Sequence, residues 1–325
     1  MSAPALELRE ALARLVERRD LGADEMAGVV GRIMDGEATP AQVGALLTAL
    51  RMKGETVDEV VGAARAMRAR MTPVAFTTDV MIDLCGTGGD GSRSINVSTI
   101  AAFVVAAAGV AVPKHGNRAQ SSQSGAHDVI EALGLHPATP PELSVRCLEE
   151  AKLAFLFAPA HHAATKHAVG PRKEVGFRTI FNLLGPLTNP AGVRVHVNGI
   201  FARDRCELLA KAHGVLGSRR ALVIHGAGGL DEFAPTGATH VAELKDGAVR
   251  SYEVTPAEFG LPPEDPIGLL GGSPEFNAHV IDEVLHGLPQ HEAVRSVAIM
   301  TAAAALYVVG EDDSAGSAVV HRPRV

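Results

Sequence analysis

The stretch Ile82-Asp83-Leu84-Cys85-Gly86-Thr87-Gly88-Gly89-Asp90-Gly91 carries an apolar segment straight into four glycines, with two carboxylates in the same ten residues. Glycine lacks Cβ, so such a loop lets backbone N–H groups face an anion and takes positive φ at little steric cost. A helix-like run over residues 96–109 follows at once. Its N-terminus aims unsatisfied N–H groups back at the same ligand. A tight strand-to-helix turn with no ligand explains the glycines as well, so the functional reading depends on other stretches converging here.

Several do. Ser94, Asn96, Ser98 and Thr99 place three hydroxyls and an amide at the opening of that helix, where they suit either a phosphate pocket or plain N-capping by Asn96 or Ser98. Lys114, His115, Gly116, Asn117, Arg118, Ala119, Gln120, Ser121, Ser122, Gln123 and Ser124 follow the end of a strand, and few of them would help to fill a core. Arg172 offers a planar fork that matches a carboxylate bidentately, although charge runs such as the one around it are commonly solvated helix faces. Asp231 and Glu232 stand together after a strand. Mg²⁺ commonly binds one or two such carboxylates while sharing a substrate's phosphates.

Other chemistries find less support. His161 and His162 are adjacent, and neighbours seldom point at one metal, so they read as site lining or as core polar residues. No Ser-His-Asp set is apparent and no base pairs with Cys85, so covalent catalysis is not indicated. Residues 86–91 have glycine at the first, third, fourth and sixth places. The dinucleotide fingerprint wants the first, third and sixth, and its acidic ribose ligand about twenty residues on is missing.

The elements that must position these residues fall into two parts. Residues 6–71 are helical throughout: Leu8, Leu12, Leu15 and Val16 share one face, as do Val30, Ile33 and Met34. Thr39 with Gln42 and Thr56 with Glu59 form capping boxes, and Gly54 stops a helix between them. Nothing in residues 1–72 reads as catalytic; packing against the second domain or another copy is its expected work. At Thr72-Pro73 the pattern changes to short apolar runs alternating with helices, the mark of an α/β domain over 73–325 with a mostly parallel central sheet and helices around it. Strands are expected at 80–84, 110–113, 155–158, 195–201 and 221–225, and helices at 128–133, 142–151 and 206–216. Ligands of open α/β sheets bind beyond the carboxyl ends of the strands, so the loops at 86–91, 114–124, 161–162 and 226–232 would share one rim. Lys245-Asp246-Gly247-Ala248 reads as a hairpin turn that adds an antiparallel piece. Residues 261–273 read as a connecting loop, 276–285 and 293–309 as helices, and 317–325 as a loose tail.

Composition narrows the partners. With 325 residues, 46% of them hydrophobic, the chain can bury a real core in two domains. It has no Trp, two Tyr and a net charge of -7, which argues against stacking platforms or a basic surface for nucleic acid. Cys85, Cys147 and Cys206 are odd in number and far apart, so neither disulfides nor zinc are expected and a reducing cytoplasm fits. Glu7, Arg9 and Glu10 break up the first leucines, unlike a signal peptide. The apolar run 100–112 is too short to span a bilayer, and no membrane segment is expected.

Taken in order, Gly86-Thr87-Gly88-Gly89-Asp90, Asn96-Val97-Ser98-Thr99, Lys114-His115-Gly116-Asn117-Arg118, Arg172, Phe181-Asn182-Leu183-Leu184-Gly185-Pro186-Leu187-Thr188-Asn189-Pro190 and Asp231-Glu232 resemble the anthranilate phosphoribosyltransferase family over nearly the whole chain. The resemblance implies transfer of ribose 5-phosphate from phosphoribosyl diphosphate to the amine of anthranilate, with Mg²⁺, in the second step of tryptophan synthesis from chorismate. It also implies a homodimer joined through the helical domains, with part of 165–190 packed against them. Carried over residue by residue, Gly86, Gly89, Asp90, Ser94, Asn96, Val97, Ser98, Thr99, Lys114, His115, Gly116, Asn117, Arg118, Ala119, Gln120, Ser121, Ser122 and Ala126 look like the phosphoribosyl diphosphate site. Gly86, His115, Asn117 and Arg172 look like anthranilate contacts, and Ser98, Asp231 and Glu232 like metal ligands. Lys114 and Mg²⁺ would stabilise the transition state, and no general base is assigned. Many relatives carry Lys where Gln123 stands and Ser where Ala126 stands, so a phosphate-binding hydroxyl is missing here. A pyrimidine nucleoside phosphorylase shares the architecture, but Arg172 and the Asp231-Glu232 pair favour diphosphate chemistry. The acidic net charge speaks against a nucleic-acid-binding relative on the same scaffold.

Overall fold

The computed structural model describes residues 6–78, 80–88, 90–119, 123–136 and 139–310, so the tail lies outside the described residues. Four helices come first: α1 Leu8–Val16, α2 Ala23–Met34, α3 Pro40–Lys53 and α4 Val57–Arg68. Both capping boxes form. Thr39 Oγ1 accepts the Gln42 N–H at 3.3 Å and Gln42 returns a 3.0 Å bond, while Gly54 (φ 90) ends α3. Glu59, fully buried, accepts from Thr56 N at 2.9 Å, from Leu21 N at 3.1 Å and from the Lys53 ammonium at 3.0 Å. One carboxylate thus closes a cap and ties the α1–α2 and α3–α4 connections together.

The strands are β1 Asp83–Leu84, β2 Val112–Gly116, β3 Leu153–Phe157, β4 Val195–Gly199, β5 Arg220–Gly226, β6 Thr239–Lys245 and β7 Ala248–Val254. Five of them form a sheet in the order β1-β4-β5-β6-β7, and β2 pairs with β3. A parallel bridge from Met81 to Ala111 joins the two sets, giving the spatial order β3-β2-β1-β4-β5-β6-β7. Pairing is parallel from β3 through β5 and antiparallel from there on. Asp246 and Gly247, with φ of 51 and 76, close the last hairpin as a two-residue turn.

Alternation along the strands separates two cores. Val197, Leu222, Ile224 and Val241 face helices α5 Val97–Ala107, α12 Pro274–Leu285 and α13 Glu292–Val309. Val223 and Ala242 face the other way, into a core shared by α11 Cys206–Val215, the first four helices, α9 Lys166–Val175 and α10 Phe181–Leu184. The chain therefore leaves β1 for a helix on one face and β4 for a helix on the other. Between those neighbouring strands their outgoing loops diverge, which opens a crevice at the carboxyl ends. Helices α6 Ala126–Ala132, α7 Pro141–Ala151 and α8 Ala158–His161 complete the fold.

Several expected boundaries move. The second strand is not 110–113 but Val112–Gly116, so Lys114 and His115 stand on it, 2% and 4% exposed. Their polarity reads as loop in the sequence, yet each finds a buried partner across the sheet. The first strand shrinks to two residues plus the Met81 bridge, and the fourth stops at Gly199. The 261–273 segment is more than a connection: Ile95 donates to Leu269 O at 2.9 Å and Gly271 to Arg93 O at 2.8 Å, pinning the residues before α5. Among the described residues one helix, Pro289–Val309, is long and apolar enough by composition to cross a membrane; it is mostly buried, as befits the central core helix.

Candidate functional site

The crevice between β1 and β4 is built on Gly199. A Cβ there would lie 1.5 Å from the Asp231 carbonyl oxygen, so only glycine lets the 226–232 loop close over β4. A Cβ on Gly86 would lie 2.9 Å from Asp231 Oδ2. With both side chains missing, Asp231 drops between the strands and its Oδ2 accepts the Gly88 N–H at 2.7 Å. Its own N–H donates to Asp90 Oδ2 at 3.2 Å, and Asp90 Oδ1 accepts from Ser92 N at 3.0 Å. Ser92 Oγ in turn donates to Ser94 Oγ at 3.2 Å.

From the next position Glu232 reaches the start of α5, where Oε1 accepts the Ser98 N–H at 3.3 Å. Ser98 Oγ meets the Lys114 ammonium at 3.1 Å, and the same ammonium donates to the Leu84 carbonyl. Ser98 and Asn96 do not cap their helix. The acceptor at its first turn comes from Glu232, and Asn96 Oδ1 instead accepts from Asn277 Nδ2 at 3.1 Å. Val97 is fully buried in the core and Thr99 is buried beside it, so Val97 can reach a ligand only through its backbone.

Electrostatics sets this cluster apart. Burial, reinforced by Asp90 and Glu232, pushes the Asp231 carboxyl well above the usual carboxylate range. Burial likewise raises Glu232 to about 7, against the pull of Lys114. Carboxylates held this close in a desolvated crevice want a cation. Among the described residues no three Asp, Glu, His or Cys side chains form a complete metal cage. Oxygen donors in so small a number suit Mg²⁺, which keeps waters and takes further ligands from phosphates.

On the neighbouring strand, His115 N–H donates to Asp83 Oδ1 at 3.2 Å and His115 Nδ1 lies 3.3 Å from Gly185 O. Its ring stands 5.2 Å from that of His162, and burial lowers both, to about 3 and about 4. Both imidazoles are therefore neutral. His161 turns away and meets the Thr72 carbonyl at 2.8 Å. Burial pushes the Cys85 thiol upward, which suits its lack of a base.

The loop after β2 is organised by Asp128. Its Oδ2 accepts from Ala119 N at 2.8 Å and Gly125 N at 2.9 Å, and its Oδ1 accepts from Arg118 at 3.0 Å. Arg118 also pairs with Glu131 at 2.8 Å. Gly116 and Ala126 meet beneath the loop, a Cβ on Gly116 falling 3.3 Å from that of Ala126, while Asn117 is exposed. Gly89, Gln120, Ser121 and Ser122 lie outside the described residues. Arg172, half-buried on α9, stacks its guanidinium 5.1 Å above the Phe181 ring. Among the described residues no carboxylate stands within 4.0 Å of it. The segment just beyond Phe181 leads to Gly185 and so back to His115.

Four loops expected on one rim thus meet through Gly88–Asp231, Glu232–Ser98–Lys114 and His115–His162. The sequence reading missed Asp128, Asn198 and Asn277. Asp128 had a signal, the Gly125-x-x-Asp128 spacing of a helix start; Asn198 and Asn277, buried in a strand and a helix, had none beyond their polarity.

Comparison with known proteins places the chain. Residues 9–71 match the glycosyl transferase family helical bundle domain and residues 78–322 its a/b domain. Anthranilate phosphoribosyltransferase of Myxococcus xanthus is 50% identical over 306 residues, covering 94% of this chain and 90% of that one. The Moorella thermoacetica enzyme of that name is 49% identical over 94% of this chain and 90% of its own length. Among solved structures, anthranilate phosphoribosyltransferase from Thermus thermophilus superposes with a TM-score of 0.90 at 40% identity, covering 95% of this chain and 92% of that one. The Saccharomyces cerevisiae enzyme in complex with PRPP and Mg does so at 0.87 and 26% identity, covering 96% and 91%.

Proposed function

The chain belongs to the anthranilate phosphoribosyltransferase family, a pentosyltransferase family, and from that premise we propose how its residues carry the reaction. It transfers the 5-phosphoribosyl group of phosphoribosyl diphosphate to the amine of anthranilate and releases diphosphate. The observation that carries this reading is the meeting of Gly88, Ser98, Lys114, Asp231 and Glu232 at one crevice, oxygens and one cation arranged for a diphosphate and its metal.

Breaking the C1–diphosphate bond builds positive charge on the ribose and negative charge on the leaving group. Mg²⁺, when bound, supplies Lewis-acid stabilisation of that leaving group. Asp231, Glu232 and Ser98 would hold it, their desolvated oxygens being the fitting donor set. Lys114 neutralises departing charge from β2, and the Gly86 N–H faces the anion's path. Asp90, Ser94 and Asn96 frame that path, and residues 114–119 with Ala126 wrap the phosphoribosyl group. Arg172 takes the anthranilate carboxylate bidentately, with Gly86, His115 and Asn117 beside it. The aromatic amine is neutral at pH 7, so it needs positioning near C1 more than deprotonation, and no base is required.

A homodimer through the helical domain completes the reading. Val16 and Met52 are exposed on α1 and α3, 75% and 70%, as an apolar surface would be before pairing. Three free cysteines fit a cytoplasmic setting. Mixing the protein with phosphoribosyl diphosphate, Mg²⁺ and anthranilate should extinguish anthranilate fluorescence with matching release of diphosphate. Unchanged fluorescence, with phosphorolysis of thymidine in its place, would overturn the assignment.

A further inference from the structure

Beneath the glycine loop a chain of buried polar groups runs from β4 to the far side of the sheet. Asn198, fully buried on β4, donates from Nδ2 to the Cys85 carbonyl at 3.0 Å. His213 Nε2 lies 2.8 Å from Asn198 Oδ1, and His213 Nδ1 lies 3.0 Å from Ser218 Oγ. Donor and acceptor roles follow without ambiguity. A carbonyl only accepts, so the asparagine amide must face Cys85 and its oxygen must face the histidine. That oxygen only accepts as well, so the imidazole proton sits on Nε2, and Nδ1 accepts from the Ser218 hydroxyl. Ser218 is fixed in turn, its N–H donating to the His213 carbonyl at 2.9 Å.

The consequence lies one peptide away. In a trans peptide the C=O and the following N–H point in opposite directions. Asn198 holds the Cys85 carbonyl on its own side, so the Gly86 N–H points away from Asn198. Its neighbours are otherwise engaged: Cys85 N–H donates to Val197 O at 3.3 Å and Thr87 N–H to Gly199 O at 2.9 Å. Among the described residues no acceptor meets the Gly86 N–H. We propose that Asn198 is a positioning residue for phosphoribosyl transfer, fixing the Cys85–Gly86 peptide so that the Gly86 N–H is presented to bound substrate, with His213 and Ser218 fixing Asn198. This rests on the assignment of the crevice as the phosphoribosyl diphosphate site.

The energetic argument favours such a role over simple packing. A buried amide spanning a carbonyl and an imidazole keeps each of them paired where water cannot reach. Apolar residues would fill the same space, but they would leave the Cys85 carbonyl unsatisfied and the peptide able to turn.

Asn198→Asp keeps the shape and removes the donor, Asn198→Leu removes both functions, and His213→Gln keeps a donor toward Asn198 that His213→Leu lacks. With folding checked by melting temperature, kcat/KM should fall about tenfold to a hundredfold in Asn198→Asp, Asn198→Leu and His213→Leu, the scale of a reacting group misplaced by about 1 Å. His213→Gln should return to within about threefold of wild type. Calorimetric titration with phosphoribosyl diphosphate and Mg²⁺, without anthranilate, should show weaker binding in Asn198→Asp. If Asn198→Leu fails to fold, Asn198→Asp and His213→Leu carry the test. Folded Asn198→Asp with wild-type kcat/KM and donor affinity would overturn the proposal, as would His213→Gln no better than His213→Leu. Loss of turnover in the wild type itself would count against the proposed function alone, since donor binding would still report on the relay.

Discussion

The carboxylate of Asp231 accepts the Gly88 N–H at 2.7 Å across a chain separation of 143 residues, and it can do so only because Gly86 and Gly199 carry no side chain in its way. A single hydrogen bond therefore joins the loop after β1 to the loop after β5. The same bond leaves a desolvated acid beside Asp90 and Glu232, a tension that a bound cation relieves.

Replacing Asp231 and Glu232 together by Ala should reduce Mg²⁺-dependent turnover by at least about a hundredfold, comparable with losing a main electrostatic stabiliser of a transition state. The ligand-free double variant should melt no lower than wild type, because buried like charges are removed with the metal site. Turnover measured across a Mg²⁺ titration, alongside melting curves, checks both. Unchanged metal dependence would remove these residues as ligands.

Arg172 has an aromatic ring beneath it and, among the described residues, no internal carboxylate, so its partner should come from outside. Arg172→Ala should raise the anthranilate KM about tenfold or more while leaving the phosphoribosyl diphosphate KM nearly unchanged, and Arg172→Lys should recover little because it lacks the planar fork. Steady-state kinetics with each substrate varied in turn decides. An equal effect on both would sink the assignment.

Asp128 gathers the loop after β2 through Ala119, Gly125 and Arg118. In Asp128→Ala two backbone N–H groups lose their acceptor, a loss of about 1–3 kcal/mol for each one left buried. The predicted result is weaker phosphoribosyl diphosphate binding with little change in that of anthranilate, read by calorimetry. Selective loss of anthranilate affinity would show that the loop serves the acceptor instead.

His127 is fully buried, its ring tilted against that of Phe157 at 5.0 Å, and neither ring nitrogen has a hydrogen-bond partner among the described residues. Burial first, then Lys114 and Arg118, lower it to about 4. Below about pH 6.5 the unfolded chain binds a proton there that the folded chain refuses, so this residue withdraws stability as pH falls from about 6.5 to about 4. His127→Leu should abolish that contribution. Its melting temperature should rise relative to wild type as pH drops from 7 to 5, by up to about 1.4 kcal/mol of stability per pH unit. A difference that stays constant with pH would disprove the linkage.

Much of this protein was legible before any coordinates. Periodicity marked the helical segment and its capping boxes, because helix caps and amphipathic faces are local properties of a few neighbouring residues. The hairpin at Asp246-Gly247 was legible for the same reason, its turn requiring two positive φ values. Residue types also named the candidate chemistry, since glycines, hydroxyls, Lys114, Arg172 and the Asp231-Glu232 pair each have few other uses in combination. What the sequence could not determine was which side chains pair at long range. Lys114 looked like loop and stands on a buried strand, because its partners at Leu84 and Ser98 arrive from other elements. Asn96 looked like a cap and instead meets Asn277, which is 181 residues away. Asn198 and His213 carried no local signal, for their meaning depends on where Cys85 lies in the neighbouring strand. Only the tertiary structure sets that register, because strand neighbours are chosen by packing of both sheet faces and not by adjacency along the chain.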